Sequence, residues 1–331
     1  MAGSNAKVCL MSRYARQMVL PEIGADGQAR LASARIVVVG AGGLGCPVLS
    51  YLAGAGVGSI RIVDADVVEE SNLHRQPLYT MADIGQAKAE AARGALVAYN
   101  PEIEILADVH RLEPANTAAL CKNADIIIDA ADSFAVTYTL SDHCLTSGQG
   151  FVSASVLGFT GYAGGFCGGR APSVRAVFPD LPHSAANCAT AGVSGPAVGM
   201  LGSLQAQMAL SCLLGLEPSP LGRMISLDLR QFTTSLFSFV DAPEPGDGFG
   251  FVSVADIADS DFVVDLRSVE EAPAVVTAAA RRSTVGDVDA LAGDARDHRT
   301  ILCCRSGLRA WNAGLRLRQA GCSDISLIAL G

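Results

Sequence analysis

With 331 residues, half of them hydrophobic, the chain can bury a large core and divide into two domains; its net charge of -9 argues against a nucleic-acid backbone as partner, because phosphate neutralisation needs a basic surface. No signal peptide is expected before Arg13, and apolar stretches such as Val198 to Leu214 contain Gln205, Gln207 and Ser211, which predicts a buried helix and no membrane span. Ten cysteines without a secretory leader point to a reducing, cytoplasmic setting, and no two of them form a CxxC pair, which removes the usual zinc clip and the thioredoxin motif.

Residues 1–12 have no clear periodicity and read as a loose tail. Arg13-Tyr-Ala-Arg16-Gln17 leads through a short helix, Asp26 to Leu31, into the apolar run Arg35 to Val39 and the turn Gly40-Ala-Gly42-Gly43-Leu-Gly45. This is the pattern of a strand, a phosphate-binding loop and a helix N-terminus, in which the glycines let the backbone approach a phosphate. A second run, Ser59 to Val63, ends on Asp64, where a nucleotide-binding βαβ unit places the carboxylate that holds a ribose hydroxyl. Gly42 to Ala55 reads as a helix packed closely on the sheet, Asp64 to Arg75 as a loop over the nucleotide, and Ala82 to Tyr99 as a helix with Lys88 in its first turns. Ile103 to Val109 and Asp125 to Asp129 supply strands on either side of a helix from Ala115 to Cys121; Phe151 to Phe166 and Pro218 to Phe239 each supply two more. The alternation predicts an α/β fold, a Rossmann-like and mainly parallel sheet with helices on both faces.

A dehydrogenase needs only to seat a dinucleotide. Here Ser71-Asn72-Leu73-His74-Arg75-Gln76 comes after Asp64, and Lys88 after that. A planar arginine fork and a compact lysine charge near a phosphate loop suit charge developing on a transferring phosphoryl group. Asp132, just beyond a later parallel strand, falls where ligands and magnesium collect, and it can also cap the helix that begins at Phe134.

Arg13-Tyr-Ala-Arg16-Gln17, Gly40 to Cys46, Asp64-Ala-Asp66, Ser71 to Gln76, Gly85-Gln-Ala-Lys88 and Gly202-Ser-Leu-Gln-Ala206 together resemble the MoeB/ThiF family, the adenylyltransferases that activate ubiquitin-like sulfur carriers. The resemblance runs from about Arg13 to Phe239. It implies ATP as substrate, with Gly40, Gly42, Gly43, Gly45, Asp64, Ser71, Asn72, Asp132 and Ser133 around the nucleotide and magnesium on Asp132. It implies Arg75 and Lys88 at the α-phosphate, and Arg16 reaching into the partner subunit's site of a homodimer. Ser133 stands where the family usually has asparagine, and Thr137 where it often has arginine. The family's structural zinc needs two CxxC pairs; Pro172 to Pro179 and Asp241 to Gly246 carry none, so no structural zinc is expected. Cys188 aligns with the family's crossover-loop cysteine, which can accept carrier or sulfur.

Asp241 to Gly250 is dense in Pro, Gly and acid and reads as a linker. Beyond it, Asp261 to Glu271 reads as a strand entering a helix, and Thr300 to Arg309 as strand, tight loop and helix. Both resemble a rhodanese domain, in which the first position of the C-R-x-G-x-R loop holds a persulfide. That assigns the sulfur to Cys304, with Arg305, Gly307 and Arg309 in the loop and Cys303 in the strand. Amides at a helix N-terminus and the two arginines favour a thiolate or persulfide anion. The middle pattern of that family is missing from Pro273 to Asp297.

The organisation expected is a tail at 1–12, an adenylyltransferase domain at 13–240, a linker at 241–250 and a rhodanese-like sulfurtransferase at 251–331. The resemblance implies ATP-dependent adenylation of the C-terminal glycine of a carrier ending in Gly-Gly, then persulfide transfer to give a thiocarboxylate. The sulfur donor is thiosulfate or a cysteine desulfurase. The competing readings are an NAD-dependent oxidoreductase, which leaves Arg75, Lys88 and Cys304 without a role, and a non-catalytic scaffold that holds the carrier without consuming ATP.

Overall fold

A computed structural model describes residues 13–169, 171–182 and 192–331. Residues 1–12 and Cys188 therefore lie outside the described chain. After a helical turn at 13–18 come α1 (Gly24–Ser33), β1 (Arg35–Val39), α2 (Gly45–Ala55), β2 (Ser59–Val63), α3 (Lys88–Tyr99), β3 (Glu104–Asp108), α4 (Pro114–Leu120), β4 (Ile126–Asp129) and α5 (Phe134–Ser147). Next in the chain are β5 (Gly150–Leu157), β6 (Thr160–Phe166), the short α6 (Val174–Val177), α7 (Gly195–Leu214), β7 (Arg223–Asp228) and β8 (Thr233–Ser238). These eight strands form one sheet in the order β3-β2-β1-β4-β5-β6-β7-β8. Pairing is parallel from β3 through β5 and antiparallel from β5 to β8. The fully buried β-branched runs of β1 and β4 occupy the centre, as a sheet covered on both faces requires.

The expected helix from Ala82 begins instead at Lys88. A short 3₁₀ turn (Met81–Asp83) comes first, and Gly85 at φ +87° breaks the helical path between them. The apolar α7 has the length and composition of a membrane span, but half of that stretch is buried inside the protein, and Gln205 in its middle donates to the Asp129 carbonyl at 2.7 Å.

A second sheet is made of β9 (Gly250–Phe251), β10 (Phe262–Asp265), β11 (Arg281–Arg282), β12 (Thr300–Cys304) and β13 (Ile325–Ala329). It is wholly parallel, in the order β11-β10-β12-β13-β9, with α8 (Ala292–Arg296) and α9 (Leu308–Gln319) beside it. The helix expected after β10 does not form: residues 269–271 make a turn. Ser268 and Glu271 bond each other's backbone there, and Pro273 comes two residues later.

Asp241 to Gly250 is not a free tether. Glu244 accepts two hydrogen bonds from Ser173, and Phe249, 4% exposed, packs edge-on against Trp311 with ring centroids 5.1 Å apart. Arg175 donates to both carboxylate oxygens of Asp142 at 2.6 and 2.8 Å and to the Phe249 carbonyl at 2.9 Å, and its guanidinium lies 4.7 Å from the centre of the Tyr138 ring. Tyr138 and Trp311 meet edge-on at 5.9 Å. One buried cluster thus runs from Phe151 of β5 and Tyr138 of α5 to Trp311 of α9 and to Leu302 and Cys304 of β12. Burying a side chain as large as Trp311 is worth on the order of 3 kcal/mol, and its ring meets both Tyr138 of the first layer and Phe249 of the intervening segment.

Candidate active site

The turn between β1 and α2 is shaped by its glycines. Gly40 sits at φ +99°, and a Cβ there would lie 2.6 Å from the Ala130 carbonyl; a Cβ on Gly45 would lie 2.1 Å from the Gly40 carbonyl. No other residue allows both approaches, so the turn brings its amides to the C-terminal ends of β1 and β4. Asp64, at the end of β2, accepts the Ala41 N-H at 2.7 Å and the Asp66 N-H at 2.8 Å. Its carboxylate pins the glycine turn, and burial raises its pKa against the opposing pull of those two amides and of Lys88.

One cation lies on this turn and a second pairs with the segment just beyond Asp64. The Arg75 stem runs over Gly43, its Cγ 3.6 Å from where a Cβ would stand, and its Nη1 donates to the Ser71 carbonyl at 3.2 Å. Lys88, only 6% exposed at the first position of α3, donates from Nζ to Asp66 Oδ2 at 2.9 Å, and its backbone N-H donates to the Asp66 carbonyl at 2.9 Å. Asn72 is buried and donates to the Ser71 hydroxyl at 3.3 Å, while Ser71 itself is exposed. Gln76, 2% exposed, leaves its Oε1 without a partner, and its Nε2 stands 3.5 Å from where a Cβ on Gly42 would be.

Asp132 lies three residues beyond β4 with its side chain exposed. It does not cap α5: Ser133 occupies the N-cap position and makes no capping bond. Among the described residues no cluster of three or more metal-ligating side chains exists. A single accessible carboxylate beside a phosphate cradle still fits magnesium, which takes one or two carboxylates and completes its shell with phosphate oxygens and water.

The fully buried Asp129 carries a role that its sequence motif does not assign. Its carboxylate accepts from Thr137 Oγ1 at 2.7 Å, Ser153 Oγ at 2.8 Å and the Ala131 N-H at 3.1 Å. Burial pushes its pKa up to about 6, and the negative charge of Asp132 adds to the rise. The residue thus fixes the strand end from which Asp132 projects. Thr137, which departs from the resembled pattern, is one of its donors. The pairing of Asp66 with Lys88 is likewise absent from the motif reading; the Asp64-Ala-Asp66 spacing is the signal that points to it. Arg16 is exposed on the helical turn at 13–18, with no hydrogen bond to these residues.

A second arrangement lies at the end of β12. The buried Cys304 sulfur accepts the Gly307 N-H at 3.1 Å and the Ala310 N-H at 3.4 Å, both at the start of α9. Gly307, at φ +85°, makes the tight turn and abuts Phe251, 2.7 Å from where its Cβ would be. Arg305 is exposed, and Arg309 is held by Glu271. Cys303 points into the opposite, buried face, where loss of solvation pushes its thiol up to about 12 and leaves it inert.

The chain matches the ThiF family over residues 14–247. It is 33% identical over 351 residues to a probable adenylyltransferase/sulfurtransferase MoeZ of Mycobacterium tuberculosis, covering 95% of this chain and 90% of that protein. It is 45% identical over 218 residues to the adenylyltransferase and sulfurtransferase MOCS3 of Bos taurus, covering 65% of this chain and 48% of that protein, about half the relative's length. With the sulfur carrier protein adenylyltransferase of Thermus thermophilus it shares 41% identity over 225 residues, covering 66% of this chain and 83% of that protein. Among solved structures, E. coli MccB with ATP superposes with a TM-score of 0.61 at 22% identity, over 71% of this chain and 73% of that one, a likeness of fold.

Proposed function

The chain belongs to the ThiF family, and from that premise we propose that it adenylates the C-terminal glycine of a ubiquitin-like sulfur-carrier protein with ATP and then converts the product to a thiocarboxylate. The observation that carries this reading is a pair of cations beside the nucleotide turn: Arg75 runs over Gly43, and the buried Lys88 pairs with Asp66, two residues from the Asp64 that pins the turn. A protein that only seats a dinucleotide has no use for two cations there.

Asp64 holds the ribose, and the amides of Gly42 and Gly43 the phosphates. The carrier carboxylate attacks the α-phosphorus, the bond to the β-phosphate oxygen breaks, and pyrophosphate leaves with the electron pair. Arg75 and Lys88 stabilise the charge that develops on the α-phosphoryl oxygens. Asp132 would hold magnesium, which when bound would supply charge neutralisation on the triphosphate. Arg16 reaches the site of a second copy in a homodimer, which accounts for its exposure on the single chain. The second module is a rhodanese-like sulfurtransferase: Cys304 takes sulfur from a donor as a persulfide, that persulfide attacks the acyl-adenylate and displaces AMP, and an external thiol reductant then cleaves the S-S bond of the resulting acyl disulfide, releasing the thiocarboxylate and regenerating Cys304. Where Cys188 accepts the carrier first, its thiolate displaces AMP and the Cys304 persulfide then displaces Cys188 from the thioester. A reducing cytoplasm suits this thiol chemistry.

Incubation of the protein with ATP, labelled pyrophosphate and carriers ending in Gly-Gly tests the proposal. Exchange that requires the free terminal glycine is expected, and intact mass of the carrier should then show one oxygen replaced by sulfur when a donor is added. A carrier that binds without exchange would favour the scaffold, and NAD(H) binding in place of ATP would revive the oxidoreductase.

A further inference from the structure

Arg309 leaves the first turn of α9 with its guanidinium already engaged. Nη1 donates to Glu271 Oε2 at 2.6 Å and to the Leu266 carbonyl at 3.1 Å, and Nη2 donates to Glu271 Oε1 at 2.7 Å. This is the two-pronged geometry in which arginine and carboxylate fix each other's orientation. Glu271 is itself anchored, since Ser268 gives its N-H to Oε2 at 3.1 Å and its hydroxyl accepts the Glu271 N-H at 3.3 Å. Arg309 falls between Gly307 and Ala310, the two residues whose amides hold the Cys304 sulfur, and lies within electrostatic reach of that sulfur. The segment after β10 is therefore strapped to the turn of helix that cradles the thiol.

The remaining arginines of the second module show what is distinctive here. Arg267 pairs with Asp265, Arg281 with Asp294, Arg299 with Asp261, Arg316 with Asp289 and Arg318 with Asp247, while Arg282 and Arg296 donate to backbone carbonyls. Among the described residues of this module Arg305 is the arginine without such a contact; it is exposed, follows Cys304 directly in the chain, and its charge acts on the Glu271 carboxylate without a hydrogen bond to it. Of the paired arginines, Arg309 is the one that sits in the sulfur loop.

Resting on the reading of Cys304 as the sulfur carrier, we propose that Glu271 is the positioning residue of this loop. Its carboxylate locks the Arg309 fork so that the Gly307 and Ala310 amides stay aimed at the sulfur, and it neutralises Arg309 so that Arg305 is the cation an anionic donor meets. Glu271 touches no reacting atom and acts through Arg309. The pair is about one-third exposed, 38% and 35%, and such surface pairs contribute little to global stability. A role confined to stability would therefore be nearly silent, whereas a role in aiming the amides would show in the chemistry. In that chemistry the Cys304 thiolate attacks the outer sulfur of thiosulfate, the S-S bond breaks, and sulfite leaves with the electron pair. Cyanide then removes the bound sulfur as thiocyanate and regenerates the thiolate, with no external oxidant or reductant.

The test uses the full chain with thiosulfate and cyanide, read as kcat and KM separately, with thermal unfolding in parallel. Glu271→Gln places an amide donor against the arginine fork and should lower kcat about tenfold, leaving KM for thiosulfate and the unfolding midpoint nearly unchanged. Arg309→Lys, which keeps the charge and loses the fork, should reproduce this, and Glu271→Asp should restore most of the rate. Arg305→Ala should show the opposite split, a raised KM with kcat retained. Wild-type kcat in Glu271→Gln overturns the proposal, as does a loss in every variant that tracks the unfolding midpoint. Failure of the unmodified protein to load sulfur on Cys304 overturns instead the reading beneath it.

Discussion

Ser173 gives both its backbone N-H and its hydroxyl to one carboxylate, reaching Glu244 Oε1 at 2.6 Å and Oε2 at 2.5 Å. The two residues belong to the segments where the resembled family carries its paired zinc cysteines. A polar clamp joins the same two stretches here, and the Arg175 guanidinium, bonded to Asp142 and the Phe249 carbonyl, closes it.

The clamp predicts the effect of breaking it. Ser173 is fully buried, so Glu244→Ala leaves its donors unsatisfied and should cost about 2 kcal/mol in urea unfolding. Elemental analysis of the purified protein should find no stoichiometric zinc, and chelation should leave the unfolding midpoint where it was. Stoichiometric zinc surviving mild chelation would contradict the clamp as a replacement.

Arg75→Ala and Lys88→Ala should each reduce carrier-dependent ATP-pyrophosphate exchange by about 100- to 1000-fold, the usual effect of removing one group that stabilises transition-state charge. Lys88→Ala should also free Asp66 from its ion pair, whereas Arg75→Ala leaves that contact intact. Near-normal exchange in either variant would detach that cation from the chemistry.

Arg16 is expected to act across a dimer interface. Arg16→Ala and Asp132→Ala, each inactive alone, should recover part of the exchange activity when mixed, because half of the hybrid's sites receive both intact groups. Recovery should be absent if subunit exchange is blocked by crosslinking. Its absence in freely exchanging mixtures would argue against shared sites.

Asp129 should make stability depend on pH. Its folded pKa of about 6 lies above the ordinary 3.8, so its contribution is full below about pH 4 and is lost as pH rises through about 6. Two pKa units correspond to about 3 kcal/mol. Relative to Asp129→Asn, the unmodified protein should therefore lose about 3 kcal/mol of stability between pH 4 and pH 7. Parallel pH profiles for the two proteins would mean that the carboxylate stays neutral or solvated.

Cys304→Ala should abolish sulfur loading from thiosulfate and leave adenylate formation nearly intact, since the alanine fits the same buried space. Cys303→Ala should cost about 1 kcal/mol of stability with loading retained. Sulfur mapped by mass spectrometry to a cysteine other than Cys304 would remove the sulfurtransferase role from this loop.

Much of this protein is determined locally. The β-branched runs of β1, β2 and β4, the glycine turn and the carboxylate of Asp64 arise from hydrophobic patterning and from conformations that only glycine adopts, so residue order alone announces them. The strand, turn and helix from Thr300 to Arg309 are legible for the same reason. The segment after Asp265 is not legible in this way, because its pattern permits a helix and the decision goes to Glu271, whose carboxylate is engaged by an arginine 38 residues away.

Only the tertiary structure decides the rest. Composition marks Asp241 to Gly250 as a tether, yet its fate depends on Phe249 finding Trp311 and on Glu244 finding Ser173, 71 residues earlier. Lys88 becomes nearly buried because α3 begins at that residue and Asp66 stands opposite it. Asp129 looks like one more strand residue until Thr137 and Ser153 close on it and the surrounding core removes its water. Periodicity and glycine conformation act over a few residues and can be read from the chain. Ion-pair choice, burial of charge and the docking of one sheet on another depend on which distant groups arrive at the same place, and they are settled only when the chain is folded.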